Sequence, residues 1–299
     1  MEPGSAYHVP KRRNALQEFL KKIAETYDVV HIHNVHSIIS VWSGLQLLNK
    51  GFSGRLVVTP YYHGAGHTPV RNLLWKPWRY YVRRLLNSSH AIHTVSKKEA
   101  ELIRRDFRRE AIPIENGVEE QIQALKWDPQ PYVMYSGRIE KYKNVHRLAK
   151  IVKLLNDKGG YYLELRIYGN GPPYKKKLEK ELREIPPIKW YIQDFQPYES
   201  YIKTLSKATL FALISEKESY PPQSVNEANA IGVPPTLIAK PWGTNFNDRT
   251  RTLIINLNET NEEIAEKTTK FLKEAPQQPK SQVPTWTQVV NKYIKVLYT

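Results

Sequence analysis

The run SEKESYPPQSVNEANAIGVPP, Ser215–Pro235, sets two glutamates, Glu218 and Glu227, on either side of a Tyr-Pro-Pro turn. An apolar run, Leu210–Ile214, precedes it and another, Pro235–Ala239, ends it, so its middle reads as a helix between two strands. That helix, Gln223–Ile231, is built from small and polar residues and closes at Gly232, a residue that takes the left-handed helix end without steric cost. The first N–H groups of a helix have no partners within it, so the Pro-Gln-Ser-Val start at 222–225 favours a phosphate. Glu227, about one turn in, can accept two hydrogen bonds from a vicinal diol such as a ribose, and Glu218 can reach a sugar hydroxyl. Taken alone, the simpler reading of Glu227 is an acid that complements the helix dipole.

The same strand-helix alternation extends outward in both directions. Strands are predicted at Val29–His33, Arg55–Thr59, Ala91–Val95, Val133–Ser136 and Tyr162–Tyr168, each short, apolar and bounded by turn residues. Helices are predicted where apolar residues share a face: Leu16, Phe19, Leu20 and Ile23 in Asn14–Thr26, and Leu148, Ile151, Val152 and Leu155 in Val145–Leu155. This order implies an α/β chain with parallel sheets joined by right-handed crossovers. The weakly periodic run Glu119–Gln130 marks a boundary, and the Pro- and Gln-rich run Glu274–Pro284 leads to a last helix, Thr285–Tyr298. The expected units are therefore residues 1–120, 121–280 and a final helical segment 281–299.

The chain has 299 residues, 40% of them hydrophobic, enough for two cores of ordinary size. A formal net charge of +16 points to anionic partners: phosphorylated small molecules, an anionic membrane face or nucleic acid. No cysteine is present, which excludes disulfides and thiolate metal sites, and His31, His33 and His36 give no metal site either. With only two methionines, the composition also leans toward a thermophile. There is no long apolar run and no apolar signal core at the start, so a cytoplasmic protein is expected.

Two further strand ends carry chemistry. In YSGRIEKYKNVHRL, Tyr135–Leu148, Gly137 ends a strand, Arg138 leaves its tip and Lys143 sits at the entrance of the next helix. Both cations then lie at the carboxyl edge of a parallel sheet, where an Arg fork and a Lys point charge suit a diphosphate; two ordinary surface cations are the alternative. Gly169-Asn170-Gly171 repeats the architecture, its glycines allowing close backbone approach to a ligand, or simply making a tight turn. Nearer the amino terminus, HTPVRNLLWKPWRYYVRRLLNS, His67–Ser88, interleaves Arg71, Lys76, Arg79, Arg83 and Arg84 with Leu73, Leu74, Trp75, Trp78, Tyr80 and Tyr81. It reads as a cationic helix lying on an anionic lipid surface, with Pro77 able to split it and expose its aromatics, or as a core helix with a basic solvent face. Nucleic acid is ranked below both, because the charge is spread over both halves and no nucleic-acid motif occurs.

Set in order, these pieces resemble the retaining glycosyltransferases of the GT-B fold, family 4. The matching runs are DVVHIHN (Asp28–Asn34), VVTPYYHGAG (Val57–Gly66), AIHTVSKKEAELI (Ala91–Ile103), IPIENGVE (Ile112–Glu119), SGRIEKYKN (Ser136–Asn144), RIYGNGP (Arg166–Pro172), YIKTLSKATLFALIS (Tyr201–Ser215) and NEANAIGVPP (Asn226–Pro235). Trp286, Tyr293 and Tyr298 are similar to the family's closing helix, which crosses back to the first domain.

The resemblance implies two Rossmann-like domains facing a cleft and retaining, metal-independent hexosyl transfer from a UDP- or GDP-sugar. It implies a glycan, lipid-linked or protein acceptor and a peripheral contact with the inner face of a membrane. It assigns Arg138 and Lys143 to the diphosphate, Glu227 to the ribose and the first glutamate to the transferred sugar. The family spacing from Glu227 lands on Ser219, with Glu218 one residue further, and Tyr220-Pro221-Pro222 replaces the usual Phe-Gly. The expected donor contacts are thus Gly137, Gly169, Asn170, Gly171, Ser219, Tyr220, Pro222, Gln223, Ser224 and Glu227. His63 is expected near the reacting centre, with His67 the runner-up, and Arg71, Trp75, Lys76, Trp78, Arg79 and Arg83 on the membrane or acceptor side. Only MEPGSAYHVPKRR and one helix precede Asp28, so the first domain is expected to be an unusually small sheet. A non-catalytic nucleotide-sugar or glycan-binding protein on the same fold is the alternative.

Overall fold

The computed structural model describes residues 13–64, 69–216, 218, 222–239 and 249–299. Within it the chain forms two compact units, residues 1–115 with 287–299, and residues 116–286. The divisions fall at 115/116 and 286/287, a few residues from the expected 120/121 and 280/281, because the second unit closes on itself there. Val118 N–H donates to Pro284 O and Trp286 N–H to Val118 O, both at 2.9 Å. A side chain at Gly117 would sit 2.7 Å from the Thr285 carbonyl carbon, so only glycine allows this pairing.

In the first unit, strands β1 (Val29–His33), β2 (Arg55–Thr59), β3 (Ala91–Thr94) and β4 (Ile112–Pro113) form a four-stranded parallel sheet in sequential order. Helices α1 (Arg13–Thr26), α2 (Ile38–Asn49), α3 (Pro69–Ser88) and α4 (Lys97–Phe107) alternate with the strands. α4 starts where Ser96 Oγ accepts from Glu99 N–H at 3.1 Å, an N-cap worth about 1 kcal/mol. α3 runs unbroken through Pro77, so the proline does not make the split open to it. Pro77 faces solvent, while Trp75, Val82, Leu85 and Leu86 bury the opposite face in the core and hold both halves of the helix.

The last helix, α11 (Trp286–Tyr293), continues as a π turn, Ile294–Tyr298. Its end meets a row of imidazoles on the first sheet. His31 Nδ1 lies 2.8 Å from the Tyr298 hydroxyl, and His31 Nε2 lies 2.7 Å from Thr59 Oγ1. Thr59 Oγ1 lies 2.8 Å from His93 Nδ1, and His93 Nε2 lies 2.9 Å from Ile114 O. Burial lowers His31 to about 3, helped by His33 and His93, and lowers His93 to about 4. His31 and His93 are therefore hydrogen-bonded structural residues.

The second unit is a six-stranded parallel sheet of β5 (Gln130–Ser136), β6 (Glu164–Tyr168), β7 (Trp190–Gln193), β8 (Ala208–Leu213), β9 (Thr236–Ala239) and β10 (Thr252–Ile255). The order across it is β10-β9-β8-β5-β6-β7. Its helices are α5 (Glu120–Gln123), α6 (Val145–Gly159), α7 (Pro172–Arg183), α8 (Tyr198–Ser206), α9 (Gln223–Ile231) and α10 (Asn261–Glu274). The core lies between sheet and helices, with Val133, Tyr135, Leu165, Leu210 and Phe211 of the sheet packed in one cluster with Leu148, Val152 and Val225. α10 carries a full capping box, in which Thr260 accepts from Glu263 N–H and Glu263 from Thr260 N–H.

Candidate functional site

The second sheet places its own site. From β5 the chain steps outward through β6 and β7, then returns to the other side of β5 for β8 and steps outward through β9 and β10. The direction reverses between β5 and β8, and all strands are parallel, so a crevice is expected beyond the carboxyl ends of these two. The segments leaving those ends carry Arg138 and Lys143 after β5, and Glu218 and α9 after β8.

Backbone bonds tie the two segments together. Glu216 N–H donates to Tyr142 O at 2.9 Å, and the Asn144 side-chain amide to Ile214 O at 3.2 Å. Lys143 is buried over the Tyr142 ring, 5.2 Å from its centroid, and its ammonium donates to the Glu218 carboxylate. Glu218, one residue out of family spacing, thus meets the lysine expected to hold a diphosphate. Removing either partner would leave a largely desolvated charge, so the pair constrains this corner strongly. Arg138 is exposed and donates to Glu140 at 3.2 Å and to the Tyr142 hydroxyl at 2.9 Å. Burial and a hydrogen bond to Glu140 push the Tyr142 phenol up to about 12.

The glycines are required by chain packing. A Cβ on Gly169 would lie 1.9 Å from Gly137 O, and one on Gly171 would lie 2.1 Å from Ile139 O. Gly137 N–H donates to Tyr168 O and Ile139 N–H to Asn170 O, each at 3.0 Å. The close approach expected toward a ligand is made instead between the loops after β5 and β6, which fixes where Arg138 leaves the sheet.

At the start of α9, Pro222 O accepts from Val225 N–H at 3.0 Å, so of the expected amide donors only those of Gln223 and Ser224 remain in the first turn. Gln223 anchors this end, its side-chain amide donating to Gly117 O at 2.7 Å. Glu227 is buried, and its carboxylate accepts from Tyr201 OH at 2.9 Å and Tyr198 OH at 3.3 Å. Burial raises its pKa, opposed by those two bonds. Ser219 and Tyr220 lie outside the described residues.

The remaining expected residues lie in the first unit. His63 is half-buried in the loop after β2, its ring 4.1 Å from that of His36. His67 lies outside the described residues, as does the Arg71 side chain. Trp75, expected to face lipid, is 8% exposed and belongs to the core, because its place on α3 turns it inward. Trp78 is half-buried and donates its indole N–H to Val35 O at 2.9 Å. Arg79 and Arg83 donate to Asp106 O, at 3.1 and 3.2 Å, and Lys76 is exposed. Among the described residues no cluster of three or more His, Cys, Asp or Glu could hold a metal, and no helix is long and apolar enough to cross a membrane.

Three residues went unnoticed in the sequence. Tyr198 and Tyr201 form one face of α8, three positions apart, and the signal was a pair of aromatics carrying hydroxyls. Glu99 is buried and accepts from Tyr62 N–H at 2.6 Å and Val95 N–H at 3.0 Å, with burial pushing it up to about 7. It fixes the loop that carries His63, and the signal was an acid in the first turn after a serine cap.

Two parallel-sheet Rossmann-like units, with cations and a helix start at the switch point of the second, define the GT-B class of glycosyltransferase folds. Residues 117–283 match the family model described as glycosyl transferases group 1, and residues 2–121 match glycosyltransferase family 4. The chain belongs to the glycosyl transferases group 1 family. No curated relative matches the sequence.

Solved structures share the fold at low identity. HepE of Anabaena, in a complex with UDP and glucose, superposes with a TM-score of 0.71 at 14% identity over 95% of this chain and 81% of its own. Sucrose-phosphate synthase of Thermosynechococcus elongatus gives 0.66 at 17% identity over 98% and 76%. A TarM mutant of S. aureus, in a complex that includes UDP, gives 0.65 at 16% identity over 94% of this chain and 55% of its own. The chain spans just over half the length of TarM.

Proposed function

We propose that this chain transfers a hexosyl group from a nucleoside-diphosphate sugar to a glycan, lipid-linked or protein acceptor, with retention of configuration. The observation that carries this reading is the Lys143–Glu218 pair, which joins the segments leaving β5 and β8 at the switch point of the second sheet. As the bond from the anomeric carbon to the diphosphate oxygen breaks, its electron pair stays on that oxygen, an acceptor hydroxyl bonds to the same face of the anomeric carbon, and the hydroxyl proton passes to the departing diphosphate. Arg138, Lys143 and the amides of Gln223 and Ser224 meet that growing charge, with no resident metal in this reading. Glu227 holds the ribose and Glu218 reaches the transferred sugar. UDP is the first nucleotide to test, because the HepE and TarM structures hold it, and GDP the second. A transfer and donor-hydrolysis screen over UDP-, GDP- and ADP-sugars is expected to find one active donor, and the absence of turnover with all of them would refute the proposal. Nucleotide binding without turnover would instead favour the non-catalytic reading, which the closed Lys143–Glu218 pair also suits.

A peripheral membrane contact belongs to the same proposal, carried by Leu73, Leu74, Tyr80 and Tyr81 of the expected helix without the inward-turned Trp75. Val70, Leu73, Leu74, Tyr80 and Tyr81 are exposed and recur at i, i+3, i+4 spacing, with Lys76, Arg83 and Arg84 exposed nearby. The chain is expected to co-sediment with vesicles containing anionic lipid, and Leu73→Glu to abolish this. Equal pelleting with neutral vesicles, or an unaffected variant, would remove the membrane contact.

A further inference from the structure

Glu227 is a buried carboxylate with one phenol on each oxygen: Tyr201 on Oε2 at 2.9 Å and Tyr198 on Oε1 at 3.3 Å. Two hydroxyl donors converging on one carboxylate is also the pattern that a vicinal diol offers. The two phenols are not equivalent. Tyr198 opens α8, is 41% exposed and makes the longer bond, whereas Tyr201 lies a turn further in, half-buried against the core. Their ring centroids are 6.2 Å apart, inclined at 37°, so neither ring stacks on the other and Tyr198 can turn outward without disturbing Tyr201.

Resting on the reading of Glu227 as the ribose-binding residue, we infer that Tyr198 is a displaceable stand-in for one hydroxyl of the diol, and Tyr201 a positioning residue that aims the carboxylate. A buried carboxylate stripped of its donors is costly, which accounts for two phenols beside it. An arriving ribose takes over the Oε1 position, and the Tyr198 ring moves toward solvent. The Tyr201 bond persists and keeps both oxygens facing the ligand. The two tyrosines therefore have opposite effects on affinity, although they touch the same carboxylate.

The experiment measures, by calorimetry on the full chain, which of UDP, GDP and ADP binds tightest, together with its 2′,3′-dideoxy analogue. Tyr198→Phe removes a competitor and should tighten the ribonucleotide by about 3- to 10-fold, the scale of one net hydrogen bond, while leaving the dideoxy analogue unchanged. Tyr201→Phe keeps the ring and should weaken the ribonucleotide about tenfold. A purely structural role for Tyr198 would move both nucleotides alike and overturn the inference, as would weaker or unchanged ribonucleotide binding by Tyr198→Phe. Glu227→Gln separates the two layers. If it leaves the preference for ribose over dideoxyribose intact, or if no nucleotide binds, the ribose reading fails and takes the inference with it. If it abolishes that preference while Tyr198→Phe does not tighten, the inference alone fails.

Discussion

Lys143→Ala is expected to lower sugar transfer by roughly 10²–10³-fold, the scale on which a single charge-stabilising donor contributes to a rate. The lysine is buried beside Tyr142 and its ammonium already faces a carboxylate, so its position is set before a diphosphate arrives. Alanine removes that charge and leaves Glu218 to repel the incoming phosphates. Both effects lower the rate, and only the second can be relieved. The double variant Lys143→Ala, Glu218→Gln should therefore recover nucleotide affinity relative to the single variant without regaining turnover. A kcat for Lys143→Ala within about threefold of wild type would show that the pair is structural and that the diphosphate binds elsewhere.

Gly169→Ala is expected to destabilise the second unit by about 3 kcal/mol or more, measured as the denaturant midpoint of its unfolding. Its Cβ would lie 1.9 Å from a carbonyl oxygen of the neighbouring loop, and backbone on both sides leaves nothing flexible to yield. Gly160→Ala is the matching control. Gly160 has φ +74°, but nothing lies within 4 Å of its Cβ, so the cost should stay near the 1–2 kcal/mol of a left-handed residue. Similar losses at both positions would mean that backbone conformation, and not the contact between the loops, sets the cost. Because the Gly169 contact also positions the stretch leading to Arg138, any folded Gly169→Ala protein should bind nucleotide more weakly.

The same contrast between local and long-range causes explains how much could be read from the sequence. Strands with a continuous apolar run were legible almost to the residue, as at Val29–His33 and Arg55–Thr59. The missed strands are β4, two residues long, β7, which alternates half-buried and exposed residues, and β10, which has one fully buried position. All three lie at sheet edges, where one flank pairs with no strand among the described residues and the pattern carries less apolar signal. The places of Arg138, Lys143 and Glu227 in the fold were legible because a strand end followed by a helix fixes them. The Glu218–Lys143 pair was not, since it joins residues 75 apart through two loops. Trp75 was misplaced for a simpler reason: composition shows a basic aromatic helix, and only the packing decides which ring faces inward. Tyr198 and Tyr201 looked like ordinary amphipathic residues until Glu227 was set beside them.

The row of imidazoles under the last helix has one further consequence. The Ile114 carbonyl can only accept, so His93 must carry its proton on Nε2 and receive one at Nδ1 from Thr59. The threonine oxygen, its proton committed, then accepts from His31 Nε2, which leaves His31 Nδ1 to accept from Tyr298. One carbonyl thus dictates the tautomers of two rings and the rotors of two hydroxyls, giving the row a single polarity. A proton added at His93 Nδ1 would leave the Thr59 hydroxyl between two donors, whereas one added at His31 Nδ1 is met by turning the Tyr298 hydroxyl alone.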